Sequence, residues 1–217
     1  MSIANVYDRV LHETSQYTGL RGTVSLEEQL SDGTIRLTGS FATNLQDYAG
    51  HTSDLKLQAG LVPPTVLAVR AIDRTIYFRM GAGPWQNLTQ PSAGSDTQQV
   101  ASRRDLFAQL LAGLDPLEYA DLLSAPQNLK ESPVGAGAKG FTGTVDVDHT
   151  ASATSQYSFT LAQSYLDEGL TSKTFTATFD SQARPITLHE HLASAKLTID
   201  YHVTITGYSA AKVSAPS

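Results

Sequence analysis

His189 and His191 stand two residues apart in the segment LHEHL, and His202 follows in IDYHV. Residues i and i+2 of a strand project to the same side. The first two imidazoles therefore share a face, and a neighbouring strand could bring His202 beside them as a metal-ligating group. Such a site needs a carboxylate or third imidazole within reach, which position in the sequence does not supply. His189 and His191 alternate with Leu188 and Leu192, so solvent-facing histidines and no bound metal are expected. Asp146 and Asp148 in TVDVDHT are also two apart. Paired carboxylates drive glycoside hydrolysis and hold calcium, but these alternate with Val145 and Val147 and read as the wet face of a half-buried strand.

No other spacing offers chemistry. A nucleophile elbow, a P-loop and a dinucleotide fingerprint are missing from the sequence. VGAGAKG (residues 134–140) lacks the GK[ST] ending of a phosphate loop and reads as a flexible connector. The chain has no cysteine, which excludes disulfides, thiolate metal sites and thiol catalysis. The expectation is a protein that is not an enzyme and needs no cofactor. A hydrolase built on Asp146/Asp148 or His189/His191 is the distant alternative.

The elements that would position a site must be read from periodicity. The 217 residues carry a net charge of −6, with 41% hydrophobic and only 17% charged residues. That apolar fraction supports a sizeable core. An acidic chain without a basic run does not fit a nucleic-acid partner. No apolar run approaches the roughly 20 residues of a membrane-spanning helix. Ile3, Val6, Tyr7, Val10 and Leu11 recur at helical spacing. After Thr18-Gly19 the period drops to two, with Leu20, Gly22, Val24 and Leu26 on one side. Asp32-Gly33 is a hairpin turn signal, and Ile35, Leu37, Gly39 and Phe41 alternate after it. Leu55 to Ala59, Val66 to Ile72 and Ile76 to Met80 follow as strands, the last two joined at Asp73-Arg74. Trp85 opens a short strand.

Residues 90–101 read as a polar loop. Ser102 with Asp105 resembles a capping box, ahead of a stripe of Leu106, Phe107, Leu110, Leu111 and Leu114. Asp115-Pro116 restarts a helix carrying Leu117, Tyr119, Leu122 and Leu123. A strand with Phe141, Gly143, Val145 and Val147 comes next. The ambiguous stretch 156–169 fits a helix over more turns than a strand. Three strands close the chain. They carry Phe175, Ala177 and Phe179; Ile186, Leu188 and Leu192; and Leu197, Ile199, Tyr201, Val203 and Ile205. Roughly nine or ten hairpin-linked strands with few helices define an α+β chain with an antiparallel sheet, read as a single domain over 1–217. Shared parity puts Val24, Leu37, Phe41, Leu57, Phe78, Phe107, Leu110, Phe141, Val145, Ile199 and Val203 between sheet and helices.

Several segments, in order, resemble the LppX/LprG-type bacterial lipoproteins, whose fold is related to the carriers LolA and LolB. These are the opening LRGTVSLEEQ; VRAIDRTIYFRMGAGPWQNL with Ile76, Tyr77 and Trp85; DLFAQLLAGLDP; GAKGFTGTVDVDH with Phe141; FTATFDSQARPITLHEHL with Asp180, Arg184 and Pro185; and the ending with Gly207, Tyr208, Val213 and Pro216. The resemblance implies a LolA-like, strongly curved antiparallel sheet, a half-barrel of about 9–11 strands packed on helices. It implies an apolar cavity for acyl lipid or lipoglycan, lined by the eleven inward residues, and transport in the cell envelope. It also implies an extracytoplasmic lipoprotein held to a membrane by a lipid anchor. Neither the family's signal peptide nor its lipobox Cys is in this sequence, so the expectation is a mature domain with a non-native Met1. The helical pair 102–123, between the polar loop and the Gly/Ala connector, would be a movable wall. The competing reading is an envelope interaction or sensor domain with a filled core and a protein partner.

Overall fold

The computed structural model describes residues 3–14, 16–44, 52–60, 65–72, 75–90, 97–114, 116–124, 126–135, 137–150, 156–209 and 213. Alternation of apolar and hydroxyl-bearing residues produces long strands: β1 (Gly19–Leu30), β2 (Gly33–Asn44), β3 (Thr52–Ala59), β4 (Thr65–Ile72), β5 (Thr75–Met80) and the short β6 (Gln86–Asn87). After the helices come β7 (Gln127–Gly135), β8 (Ala138–Asp146), β9 (Ser172–Phe179), β10 (Pro185–Ala193) and β11 (Leu197–Gly207). They form one 11-stranded sheet in the order β6-β5-β4-β3-β2-β1-β11-β10-β9-β8-β7. Every pairing is antiparallel. The first and last strands pair at the centre, and β6 and β7 form the two edges. The sheet is a curved, unclosed half-barrel, as expected.

Among the described residues there are five helices: α1 (Ile3–Thr14), α2 (Thr97–Ala112), α3 (Pro116–Ser124), the single turn α4 (Val147–Thr150) and α5 (Gln156–Asp167). The sequence path from one edge strand to the other runs through α2 and α3, which cover the inner face. The same face collects the alternate residues of each strand: Leu20, Val24 and Leu26 of β1, Leu55 and Leu57 of β3, Phe175, Ala177 and Phe179 of β9, and Tyr201, Val203 and Ile205 of β11. Helix α1 packs on α3, and α5 packs on α2.

Five local readings change. Leu30 pairs with Gly33, so the β1–β2 loop is Ser31-Asp32, one residue earlier than the Asp-Gly signal suggested. Helix α2 starts at Thr97, which puts Ser102 and Asp105 inside it. The polar run Thr97-Gln98-Gln99 lacks an apolar stripe but contains two good helix formers. VGAGAKG is a hairpin junction between β7 and β8, with Gly135 (φ 95°) and Gly137 (φ 78°) in the left-handed region. Strand β7 was not foreseen. Its Lys130, Glu131, Ser132 and Pro133 show no alternation, as befits an edge strand with one free side. Finally, the strand of Phe141 stops at Asp146, and Val147 begins α4 while remaining buried. Asp146 and Asp148 are therefore not neighbours on one strand face. Residues 73–74, 91–96 and 115 lie outside the described set. So do the Asp115 half of the proposed helix start and the connection read at Asp73-Arg74.

Candidate functional site

The inner face is where residues from most strands and two helices converge. All eleven residues assigned to it by parity are buried, none more than 4% exposed. They fall in two groups. On the β1–β5 half, Phe41 lies over Gly22, whose absent Cβ would stand 2.9 Å from the ring, and Phe78 stacks on Phe107 of α2 with centroids 5.3 Å apart. On the β8–β9 half, Phe141 meets Phe179 edge-on at 5.9 Å, and Phe179 meets Tyr119 of α3 at 6.2 Å. Offset and edge-on rings at these distances attract beyond simple area burial. Val24 pairs directly with Val203 where the two halves join.

Helix α2 is fastened to this surface at its C-terminus. The last four carbonyls of a helix have no partner within it. Tyr201 of β11 reaches up from the sheet, and its hydroxyl donates to the carbonyl of Leu110 at 2.8 Å. The ring can come so close because residue 113 is glycine: a Cβ there would lie 2.0 Å from the Tyr201 ring.

The interior also holds charge that parity could have revealed. Lys173 and Glu190 have the same alternation as Phe175 and Leu188 and are 5% and 8% exposed. The Lys173 ammonium sits 2.6 Å from the Glu190 carboxylate. Ionising such groups in a dry interior is costly unless they are paired, and adjacent strands β9 and β10 make the pairing possible. Further along the face, Glu28 at the end of β1 has its carboxyl pushed up to about 7 by burial. Thr43 and Ser53 add a buried hydroxyl contact at 3.2 Å, and Gln109 of α2 is buried as well.

The outer face carries the histidines. His189 pairs with His202 and His191 with Asp200 across β10 and β11. The rings of His189 and His202 stack at 3.9 Å. Asp200 Oδ1 lies 2.9 Å from His191 Nδ1 and 3.3 Å from His189 Nε2. Burial opposes the charge on Asp200, but hydrogen bonds from His191 and His189 outweigh it and hold the carboxyl below its usual range. Burial lowers His202, and the neighbouring His189 lowers it further. The carboxylate that sequence position could not supply is Asp200.

The residues that carried the family resemblance are mostly structural. The guanidinium groups of Arg70 and Arg79 lie 5.1 and 4.7 Å from the centre of the Trp85 ring. Asp180 accepts from the backbone amides of Gln182 and Arg184 and pairs with the Arg184 side chain at 2.5 Å. Arg184 in turn lies 5.2 Å from the Tyr208 ring, and the Tyr208 hydroxyl donates to the Pro185 carbonyl. These contacts tie the β9–β10 turn to the end of β11. Ile76 and Phe141 are the motif residues that enter the apolar interior.

An open antiparallel half-barrel with an apolar inner face, capped by helices, defines the structural class. The structure of LprF from Mycobacterium bovis is similar at a TM-score of 0.56, with 12% identity over 99% of this chain and 96% of that one. The lipoprotein LppX of Mycobacterium tuberculosis aligns at a TM-score of 0.39 with 15% identity, covering 95% and 94% of the two chains. A DUF1329 family protein from Desulfovibrio piger aligns at 0.36 with 9% identity, covering 94% and 93%. The fold assignment rests on LprF: the chain has the LppX/LprG-type fold that its ordered motifs predicted. No protein-family model matches the sequence, and no curated protein is significantly similar to it.

Proposed function

We propose that the protein is a non-catalytic, extracytoplasmic binding protein for an apolar ligand, an acyl lipid or lipoglycan held between sheet and helices for delivery in the cell envelope. The observation that carries this reading is the inner face itself. It is apolar across both halves of the sheet and is covered by helices α2 and α3 rather than by a second sheet. An acyl chain needs only dry area, worth about 25 cal/mol per Å², and no catalytic group. The eleven inward residues are the proposed lining. The LprF-like fold over nearly the whole chain supports the reading, as does the family resemblance of the ordered motifs. In this reading a lipid anchor attaches the protein to a membrane.

In this reading α2 and α3 are the wall that moves. The polar segment before α2 and the Gly/Ala segment after α3 are in part helix and hairpin, so the motion would instead break the Tyr201–Leu110 contact. A second reading, an envelope interaction or sensor domain with a filled core, is favoured by the aromatic contacts that cross the interior from Phe78 to Phe107 and from Phe179 to Tyr119. One substitution separates the two. Leu110→Trp in a ligand cavity should abolish uptake of a fluorescent fatty acid and leave chemical stability nearly unchanged. In a filled core it should cost about 1–3 kcal/mol through overpacking. Native mass spectrometry of the parent protein should show a co-purifying acyl lipid. A bare polypeptide mass together with a destabilised Leu110→Trp variant would rule out the carrier.

A further inference from the structure

The outer-face cluster on β10 and β11 lies on the opposite side of the sheet from the proposed lipid site and is unused by it. Its arrangement follows from strand register. His189 and His191 project together from β10, Asp200 and His202 project together from β11, and the pairing sets each histidine of β10 directly across from one residue of β11. Side chains facing one another in this way have Cβ atoms about 4.5–5.5 Å apart, close enough to share one ion. One ligand atom from each of His189, Asp200 and His202 can be chosen so that all three lie within 4.8 Å of one another. Metal–ligand bonds of about 2.0–2.2 Å require donor atoms roughly 3.3–3.5 Å apart in a tetrahedral site. The contraction needed is reached by rotating partly exposed side chains, His189 and Asp200 being 42% and 40% exposed, and the ion would replace the 3.3 Å contact between them.

We propose that His189, Asp200 and His202 form a binding site for a divalent transition-metal ion of the Zn2+ type on the outer face of the sheet. Two imidazoles and one carboxylate select such an ion over Ca2+ or Mg2+, which take oxygen ligands almost alone. Three protein ligands leave the fourth position open to water or to a ligand from a partner. His191 is the positioning residue. Its Nδ1 lies 2.9 Å from Asp200 Oδ1, the kind of outer contact that fixes the direction of a metal-bound carboxylate. His189 and His202 stack face to face at 3.9 Å and 10° between planes, so one ring must turn out of the stack for both nitrogens to point at the same ion. The site adds an ion to a folded sheet and is not needed to form it.

The test is calorimetric titration of Zn2+ into the untagged full chain at pH 7.5. One ion per chain is expected. The double variant H189A/H202A should weaken binding by tenfold or more, D200N should weaken it comparably, and H191A should weaken it by a smaller factor. Co2+ in place of Zn2+ should give visible absorption bands of a low-coordinate ion in the parent and none in H189A/H202A. Circular dichroism of each variant confirms that the sheet is retained, as exposed positions predict. Absence of binding to the parent, or equal affinity in parent and H189A/H202A, would overturn the proposal. Either result leaves the lipid reading untouched, since its readout is on the other face.

Discussion

Lys173 and Glu190 show how strongly two side chains can depend on one another. Each sits at an inward position among Phe175, Leu188 and Leu192, and each is tolerable only because the other is 2.6 Å away. Removing one partner strands a buried charge. Lys173→Met alone should therefore destabilise the fold by about 3–5 kcal/mol, whereas the double variant Lys173→Met/Glu190→Leu should be close to neutral or stabilising. Urea denaturation of the three proteins checks the contrast, and equal losses in single and double variants would contradict it. Glu28 makes a separate residue-scale case. Burial raises its carboxyl from the ordinary 4.5 to about 7, so between these values the folded state holds a proton that the unfolded state has released. Stability from this group is full below about pH 4.5 and is lost as pH rises toward 7. Subtracting the pH profile of Glu28→Gln from that of the parent should isolate this downward slope.

At the scale of elements, the junction of α2 with the sheet depends on Gly113 and Tyr201 together. The glycine lets the tyrosine ring lie against the helix end, and the hydroxyl satisfies a carbonyl that the helix leaves open. Gly113→Ala would drive a methyl group into the ring, displacing the helix end or the tyrosine, at a cost of about 1–3 kcal/mol. Thermal unfolding should show a lower Tm, and a Tm equal to that of the parent would mean that this packing does not constrain the helix. The same logic operates between strands. Gly22 lies under Phe41 and Gly143 under Phe175, each pair directly opposed in register. A ring laid over a glycine fills the missing side chain and pins the register of the two strands.

The whole molecule is a sheet whose ends of chain meet in its middle. Pairing of β1 with β11 joins the two halves, and α2 with α3 leads from edge to edge over the inner face. In the proposed carrier an apolar ligand would enter that space by lifting the helices, and the Tyr201–Leu110 hydrogen bond would oppose it. Tyr201→Phe should cost about 1 kcal/mol of stability while increasing the initial rate at which a fluorescent fatty acid is taken up. Stopped-flow mixing would show it. A slower or unchanged rate, with the stability loss present, would place ligand entry elsewhere.

Local period was enough to read most of this architecture. Alternation in β1, β2, β5, β9 and β11, and the helical spacing of α2 and α3, are properties of neighbouring residues, and burial of one side of each element follows from them. The same parity placed all eleven proposed lining residues inside. Reading failed where an element lacks a buried stripe to betray it. Strand β7 pairs along one edge and carries Lys130, Glu131 and Pro133, and the start of α2 is polar. Lys173 and Glu190 share the inward parity of Phe175 and Leu188, but parity alone does not say that a charged pair fills those places. What only tertiary structure decided is which strands lie side by side. Pairing and register bring Asp200 to the histidines, Lys173 to Glu190, Gly22 under Phe41 and Tyr201 to Gly113. Each of these contacts joins positions on different elements, up to 91 residues apart in the case of Tyr201 and Leu110. Periodicity fixes the side on which a residue stands, and only the closing of the sheet fixes what it faces.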